Sequence, residues 1–346
     1  MDKLIRIGMD TSKSVFQVHG VNAAEQAVLR KRLRRQEVVP FFSKLAPTVI
    51  AIEACGGSHY WARTLGALGH EVRLIAPQHA KPYVRRNKND AADAEALCEA
   101  MSRPRMLFVA ARGPEEQAAL MLAGIRRRLM KMRTQISNAI RGYAAEFGFF
   151  VPKGLDKIRP LLMQVAADQA LPELARQLFA LQSQEYARLE AALREIELKL
   201  RAWHRDSKDS RQVAEVPGIG PVGGTRIAMK KADALACRSA RHYAAWIGLT
   251  AKDHSTAGKQ RLGGITRAGD PELRALLVAG AMAVIRQAEQ HPQKASPWLL
   301  ELLKRKPKKL AAVALANKNA RVAWKLLMSG QHYDPHYAAS VNAKAA

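Results

Sequence analysis

The chain has 346 residues, 48% of them hydrophobic and 25% charged, so it is too long for one ordinary domain of roughly 150 residues and too apolar to be mainly disordered. Its 56 lysines and arginines against 30 acids leave a formal charge of +26, which points to a polyanionic partner, nucleic acid first. No uncharged apolar run reaches the roughly 18 residues of a membrane span, Asp2, Lys3 and Arg6 stand where a leader would be apolar, and Cys55, Cys98 and Cys237 form no CxxC pair. These features predict a cytoplasmic protein with no membrane contact, disulfide framework or zinc knuckle.

Short apolar runs at 4–9, 15–21 and 28–34 predict three strands, followed by a helix over 38–45, a strand over 49–52, a helix over 60–68 and a strand over 71–75. Three strands, a helix, then alternating strands and helices describe a mixed α/β sheet of the ribonuclease-H type. No GxGxxG follows the first strand, which argues against a doubly wound nucleotide fold. From residue 118 the period changes: Ala118, Leu122, Ile125, Leu129, Met132, Ile136 and Ile140 recur every three or four positions. So do Leu171, Leu174, Leu178 and Leu181, then Leu189, Leu193, Ile196, Leu200 and Trp203 after a one-residue slip. Two long amphipathic helices, separated by the Gly- and Pro-containing stretch 147–160, predict an antiparallel hairpin or a dimerising coiled coil. The narrow, sustained stripe favours self-association.

The last part carries the heaviest charge, with 23 basic against 9 acidic groups in residues 207–346, which suggests phosphate contact. It opens with Val216-Pro217-Gly218-Ile219-Gly220 between two helical segments, a helix-hairpin-helix-like element. The glycines Gly218 and Gly220 would there either let backbone N–H groups approach a phosphate or merely cap a helix. A Gly-rich basic stretch, 256–269, precedes helical segments at 271–289, 297–304 and 311–327 and an irregular tail, 331–346. The boundaries expected are therefore 1–112 for the sheet domain, 113–206 for the helical hairpin, 207–330 for a mainly helical C-terminal domain and 331–346 for the tail.

Four acids stand out in a basic chain. Asp10 ends the first apolar run and Glu53 ends that at 49–52, so if their strands are neighbours the two carboxylates converge at one sheet edge. Asp90 and Asp93, three apart, share a helical face, although Asp90 is equally placed to cap that helix. Together the four acids could hold two Mg²⁺ ions about 4 Å apart, a geometry suited to phosphodiester chemistry.

Gly8-Met9-Asp10-Thr11-Ser12-Lys13, Ile52-Glu53-Ala54-Cys55-Gly56 and Lys88-Asn89-Asp90-Ala91-Ala92-Asp93-Ala94 resemble the DEDD-type insertion-sequence transposases related to the Piv and MooV DNA invertases, the bridge-RNA-guided recombinases. Val216-Pro217-Gly218-Ile219-Gly220-Pro221, Ala245-Trp246-Ile247-Gly248-Leu249-Thr250, His254-Ser255-Thr256-Ala257-Gly258-Lys259-Gln260-Arg261-Leu262-Gly263 and Arg267-Ala268-Gly269-Asp270 resemble the C-terminal transposase domain of that family, in the expected order. The resemblance implies a RuvC-like first domain whose metal-binding acids fall on Asp10, Glu53, Asp90 and Asp93, with Mg²⁺ as cofactor. It implies a second domain bearing a nucleophilic serine that joins DNA covalently, the acids of one subunit working beside the serine of another. It further implies a structured non-coding guide RNA, donor and target DNA, and a homo-oligomer, dimer or tetramer.

The nucleophile falls on Ser255, or on Thr256 in the register of some members; the extra methyl of threonine crowds attack on phosphorus and favours Ser255. Position 251 is Ala where the family commonly has Pro. Lys259 and Arg261 are placed to hold a phosphate nearby, His254 to carry a proton. The run Lys304-Arg305-Lys306-Pro307-Lys308-Lys309 is read as a phosphate contact. The rival readings are a RuvC-type Mg²⁺-dependent junction endonuclease using the four acids alone, and a non-catalytic nucleic-acid-binding scaffold whose acids are caps.

Overall fold

A computed structural model describes residues 4–84 and 89–335. The chain divides into two compact units, Met1–Gln117 with Ala232–Arg238, and Ala118–Lys231 with Ser239–Ala346. Among the described residues no helix is long and apolar enough to cross a membrane.

The first unit opens with three eight-residue strands, β1 (Leu4–Thr11), β2 (Val15–Asn22) and β3 (Ala27–Arg34). There follow α1 (Arg35–Phe42), β4 (Val49–Glu53), α2 (Ser58–Ala67), β5 (Glu71–Ile75), the single turn α3 (Pro77–Ala80), α4 (Asp90–Ala100) and β6 (Phe108–Val109). The strands form one sheet ordered β3-β2-β1-β4-β5-β6. Its first three strands are antiparallel, β1, β4 and β5 run parallel, and β6 returns antiparallel. The helix expected at 38–45 begins three residues earlier, because Glu37 reaches back to accept the Arg34 backbone N–H at 2.6 Å and fixes the first turn.

Alternation along the strands decides what each face meets. Ile7, Met9, Phe16, Val18, Leu33, Ile50 and Ile52 point to one side, where Val38 and Phe42 of α1 and Trp61 and Leu65 of α2 close a core. Gly8 and Ala51 point to the other side, which α4 covers. Glycine is required at position 8, since a Cβ there would collide with the Ala94 carbonyl oxygen and crowd Cys98. That close approach lays α4 directly on β1.

The second unit is mainly helical. The pair α5 (Pro114–Glu146) and α7 (Glu173–Asp206) flanks α6 (Ile158–Ala167). Ala119 and Ala123 pack with Leu200, Leu129 with Leu189 and Leu193, and Ile140 with Phe179 and Tyr186, so the two long helices run antiparallel. The apolar stripe read as a self-association seam is thus buried within one chain, with Leu129 and Leu193 only 7% and 3% exposed. This corrects the expected use of the seam: periodicity identifies the buried face, and the hairpin supplies its cover. Leu174, Leu178 and Leu181 depart from the stripe and stay exposed, because Leu171, Ala175, Phe179 and Tyr186 make the inward row. At the end of the stretch 147–160, expected to be a connector, α6 begins and runs past it, and its Ile158, Leu161, Leu162 and Val165 are buried against the pair.

Next come α8 (Lys208–Ala214), α9 (Pro221–Ala228), α10 (Lys231–Leu235), α11 (Ala240–Ile247), β7 (Ala251–Asp253), β8 (Leu262–Ile265), α12 (Pro271–Gln290), α13 (Pro297–Arg305) and α14 (Lys308–Ser329). Met229 joins the cluster of Ala119, Ala123 and Leu200. The stretch 256–269, read only as Gly-rich and basic, carries the turn and the second strand of an antiparallel hairpin in which β7, just before it, pairs with β8. Thr256 and Lys259 exchange backbone hydrogen bonds around Ala257 and Gly258, both with positive φ (48° and 77°), a tight turn whose twist suits a hairpin. Of the tail, residues 336–346 lie outside the described residues.

Candidate active site

Parallel pairing of β1 with β4 matches Met9 to Ile52, so the next residues, Asp10 and Glu53, stand level at the strand ends. Both follow the parity of Gly8 and Ala51 and face the side that α4 occupies. The helix brings the second pair. Asn89 is its N-cap, accepting the Ala92 backbone N–H at 2.8 Å, so capping falls to Asn89 and not to Asp90. Asp90 and Asp93 open the first turn, and each offers an oxygen that lies, with one from Asp10, in a group spanning no more than 4.8 Å. Glu53 lies outside that tight group but close enough to repel the Asp10 carboxylate.

Electrostatics reflect the crowding. Burial first, then repulsion from Asp93, Asp90 and Glu53, pushes the Asp10 carboxyl from the ordinary 3.8 to about 6. Three convergent oxygens, all hard donors, with one carboxyl raised to about 6 by burial and by its acidic neighbours, match what a divalent cation requires. The donor set therefore fits a divalent cation.

The serine region lies on the β7–β8 hairpin. Ser255 is exposed; its backbone N–H donates to Asp253 Oδ1 at 2.9 Å, and its hydroxyl oxygen accepts the Arg261 N–H at 3.0 Å. The hydroxyl donates in turn to Asp253, and this holds the Asp253 carboxyl below its ordinary range. Asp253 was not singled out from the sequence, where an acid two residues before a serine is an ordinary turn pattern. Thr256 is held through its backbone, in the turn with Lys259. The His254 ring lies against the position a Gly263 side chain would take. Lys259 and Arg261 are exposed on the same hairpin.

The other expected binding residues fall as follows. Gly218, with φ 90°, lies against Gly280 of α12, where a Cβ on either residue would drive into the backbone of the other. Its glycine is thus explained by helix packing. Gly220 is the N-cap of α9 and faces open space. Lys304 and Arg305 end α13, Lys306 caps it, and Lys308 and Lys309 begin α14. Two of the five are engaged, Lys304 with Glu301 at 2.7 Å and Lys308 with Glu289 at 2.6 Å. Asp270, in the Arg267-Ala268-Gly269-Asp270 motif, is buried: it caps α12 through the Glu272 and Leu273 N–H groups and pairs with Arg226 and Lys230, each at 3.0 Å.

Comparison with known proteins bears on both parts of the chain. The family model described as "Transposase IS116/IS110/IS902 family" matches residues 210–296, and the model of the IS110-type DEDD transposase matches residues 7–147. A Sinorhizobium fredii protein, y4pF/y4sB, is 59% identical over 334 residues, covering 96% of this chain and 86% of its own. The transposase for insertion sequence element IS1328 of Yersinia enterocolitica is 36% identical over 330 residues, 95% of this chain and 98% of that one. The transposase for insertion sequence element IS1111A of Coxiella burnetii is 36% identical over 330 residues, 94% and 90% of the two chains. With Asp10, Glu53, Asp90 and Asp93 inside the first matched segment and Ser255 inside the second, the chain belongs to the IS110/IS116 family of insertion-sequence DNA transposases.

Proposed function

We propose that the protein is an RNA-guided DNA recombinase of its insertion sequence, cutting and rejoining donor and target DNA through a phosphoserine intermediate. The observation that carries the reading is the convergence of Asp10, Asp90 and Asp93 within 4.8 Å, with Asn89 relieving Asp90 of the capping role. A sheet with three antiparallel strands followed by two parallel ones supports a RuvC-like, ribonuclease-H-type first domain.

Asp10, Asp90 and Asp93, with Glu53 beside them, would hold Mg²⁺. When bound, the cation neutralises charge building up on a phosphodiester. Asp10 needs no other base to become a ligand, since half of it is already ionised at about pH 6. Asp253 orients the Ser255 hydroxyl, and Lys259 and Arg261 attract the phosphate to it. In the covalent step the Ser255 Oγ–P bond forms, one backbone O–P bond breaks, and the serine proton ends on the departing DNA oxygen. Attack by an incoming DNA hydroxyl reverses these changes, so the phosphodiester energy is kept. Thr256 is the alternative nucleophile. Lys304, Arg305, Lys306, Lys308 and Lys309, together with Gly218 and Gly220, belong to the phosphate-contacting surface in this reading, and the excess charge of +26 supports a guide RNA as well as DNA. The exposed row Leu174, Leu178 and Leu181, spaced four and three, supports a homo-oligomer in which a second copy covers it.

The test is joining of donor to target DNA by the purified protein with its copurifying RNA. Joining is expected, and it should stop when the RNA is digested, when Mg²⁺ is chelated, or in Asp90→Asn and Asp93→Asn. Full joining after RNA digestion would refute the guide, and full joining by both acid variants would refute the metal site.

A further inference from the structure

Strand β3 is the edge of the sheet and is crowded with cations, Arg30, Lys31, Arg32 and Arg34 among its eight residues. Register sorts them. Asp10 pairs with Gln17, and Gln17 with Arg32; Gly8 pairs with His19, and His19 with Arg30. Arg30 and Arg32 therefore stand in the same cross-strand rows as Gly8 and Asp10 and share their face. Lys31 and Leu33 take the opposite face, where Lys31 lies 4.8 Å from the Phe41 ring and Leu33 is in the core.

On the acid-bearing face α4 stops short of the edge, leaving a trough of about 430 Å³ lined by Gln17, His19, Arg30, Arg32, Asn89 and Glu95. Two of its lining residues adjoin the acids: Asn89 precedes Asp90 as the cap of its helix, and Gln17 is the strand partner of Asp10. Both guanidinium-bearing residues are exposed, and among the described residues neither makes an ion pair or side-chain hydrogen bond. Two like charges on alternate residues of one strand repel each other. At about 4.8 Å per strand Arg32 stands about 10 Å from Asp10 along their shared row, a distance of two to three nucleotides at the roughly 3.4 Å rise of one strand.

We propose that this trough is a DNA subsite in which Arg30 and Arg32 hold phosphates two to three nucleotides from the phosphodiester at Asp10, Asp90 and Asp93, and so position the scissile strand. The assignment rests on the reading of those acids as the catalytic centre. A protein that cuts next to a cluster of carboxylates must bring a polyanion to a negative site, and a cationic edge in line with the cluster supplies the compensating attraction. Arg30 and Arg32 are positioning residues: they grip the strand and leave the chemistry to others.

The test uses the full chain and a fluorescent duplex carrying the donor end, titrated in EDTA across a range of salt so that metal binding plays no part. Each phosphate neutralised on duplex DNA contributes about 0.9 to the slope of log affinity against log salt, so Arg30→Gln/Arg32→Gln should lower that slope by about 1.8. Arg30→Lys/Arg32→Lys should restore most of it. With Mg²⁺ present, the glutamine pair should raise KM for DNA far more than it lowers kcat, and thermal stabilisation by Mg²⁺ alone should be unchanged. A slope equal to the parent's, with the circular dichroism spectrum unaltered, overturns the proposal. So does a loss confined to an RNA probe of the same sequence. If Mg²⁺ fails to stabilise even the parent, the acid-centre reading falls instead, while the slope still reports on the trough.

Discussion

Asp10→Asn is expected to make the metal-free protein more stable while destroying its response to metal. The folded-state carboxyl is raised from 3.8 to about 6, by burial first and by Asp93, Asp90 and Glu53 next. The fold therefore binds that proton more tightly than the unfolded chain does. Stability falls as pH rises from the unfolded value of 3.8 through the folded value of about 6, and above it the ionised group costs the fold up to about 3 kcal/mol at 1.36 per pKa unit. Asparagine keeps the shape and some of the burial cost but removes the charge, so a gain of about 1–2 kcal/mol is expected near neutrality and almost none near pH 4. Urea denaturation in EDTA at several pH values measures the difference directly, and its repetition with Mg²⁺ supplies the second arm. There the parent should gain stability and the variant should not. A variant less stable than the parent in EDTA near neutrality would refute the reasoning, since it would mean that the Asp10 carboxylate makes favourable contacts in the apo fold.

Three further outcomes follow from packing and charge. Gly280→Ala places a methyl against the Gly218 carbonyl and should cost at least about 3 kcal/mol, read as a lowered melting temperature. Leu193→Asp puts a charge into the sealed seam with Leu129 and Leu189 and should unfold the helical pair, seen as lost helicity by circular dichroism; a fully folded but smaller species would restore the intermolecular seam. Neutralising Lys304, Arg305, Lys306, Lys308 and Lys309 together should flatten the salt dependence of DNA binding by less than five phosphates' worth, because Lys304 and Lys308 already face glutamates.

The sheet was legible because short apolar runs mark β1, β2 and β4, and the acids because strand ends and an i, i+3 pair are visible in one dimension. The capping residue was legible in position but not in identity: Asn89 and Asp90 are adjacent, both cap well, and only the backbone decides which is N-cap. Helix α6 was hidden by its ten residues and by Pro160 in its first turn, which reads as a breaker although a helix tolerates it there. The β7–β8 hairpin gives no alternation signal because β7 is exposed throughout and β8 nearly so. The stripes on α5 and α7 showed faces without partners, and the partner proved to be the other helix. Charge counted by thirds pointed to the C-terminal segment and passed over Arg30 and Arg32, whose alignment with Asp10 exists only in strand register.

In the proposed mechanism this transposase keeps the phosphodiester energy in a protein–DNA bond made by the hairpin serine. The most direct measurement incubates the purified protein and its RNA with donor DNA and Mg²⁺, digests the trapped product with protease and nuclease, and locates the nucleotide-bearing residue by mass spectrometry. One modified peptide is expected, with the nucleotide on Ser255, absent in EDTA, in Asp93→Asn and in Ser255→Ala. A nucleotide on Thr256 would move the nucleophile by one residue, and cleaved DNA with no adduct at any residue would contradict the covalent mechanism.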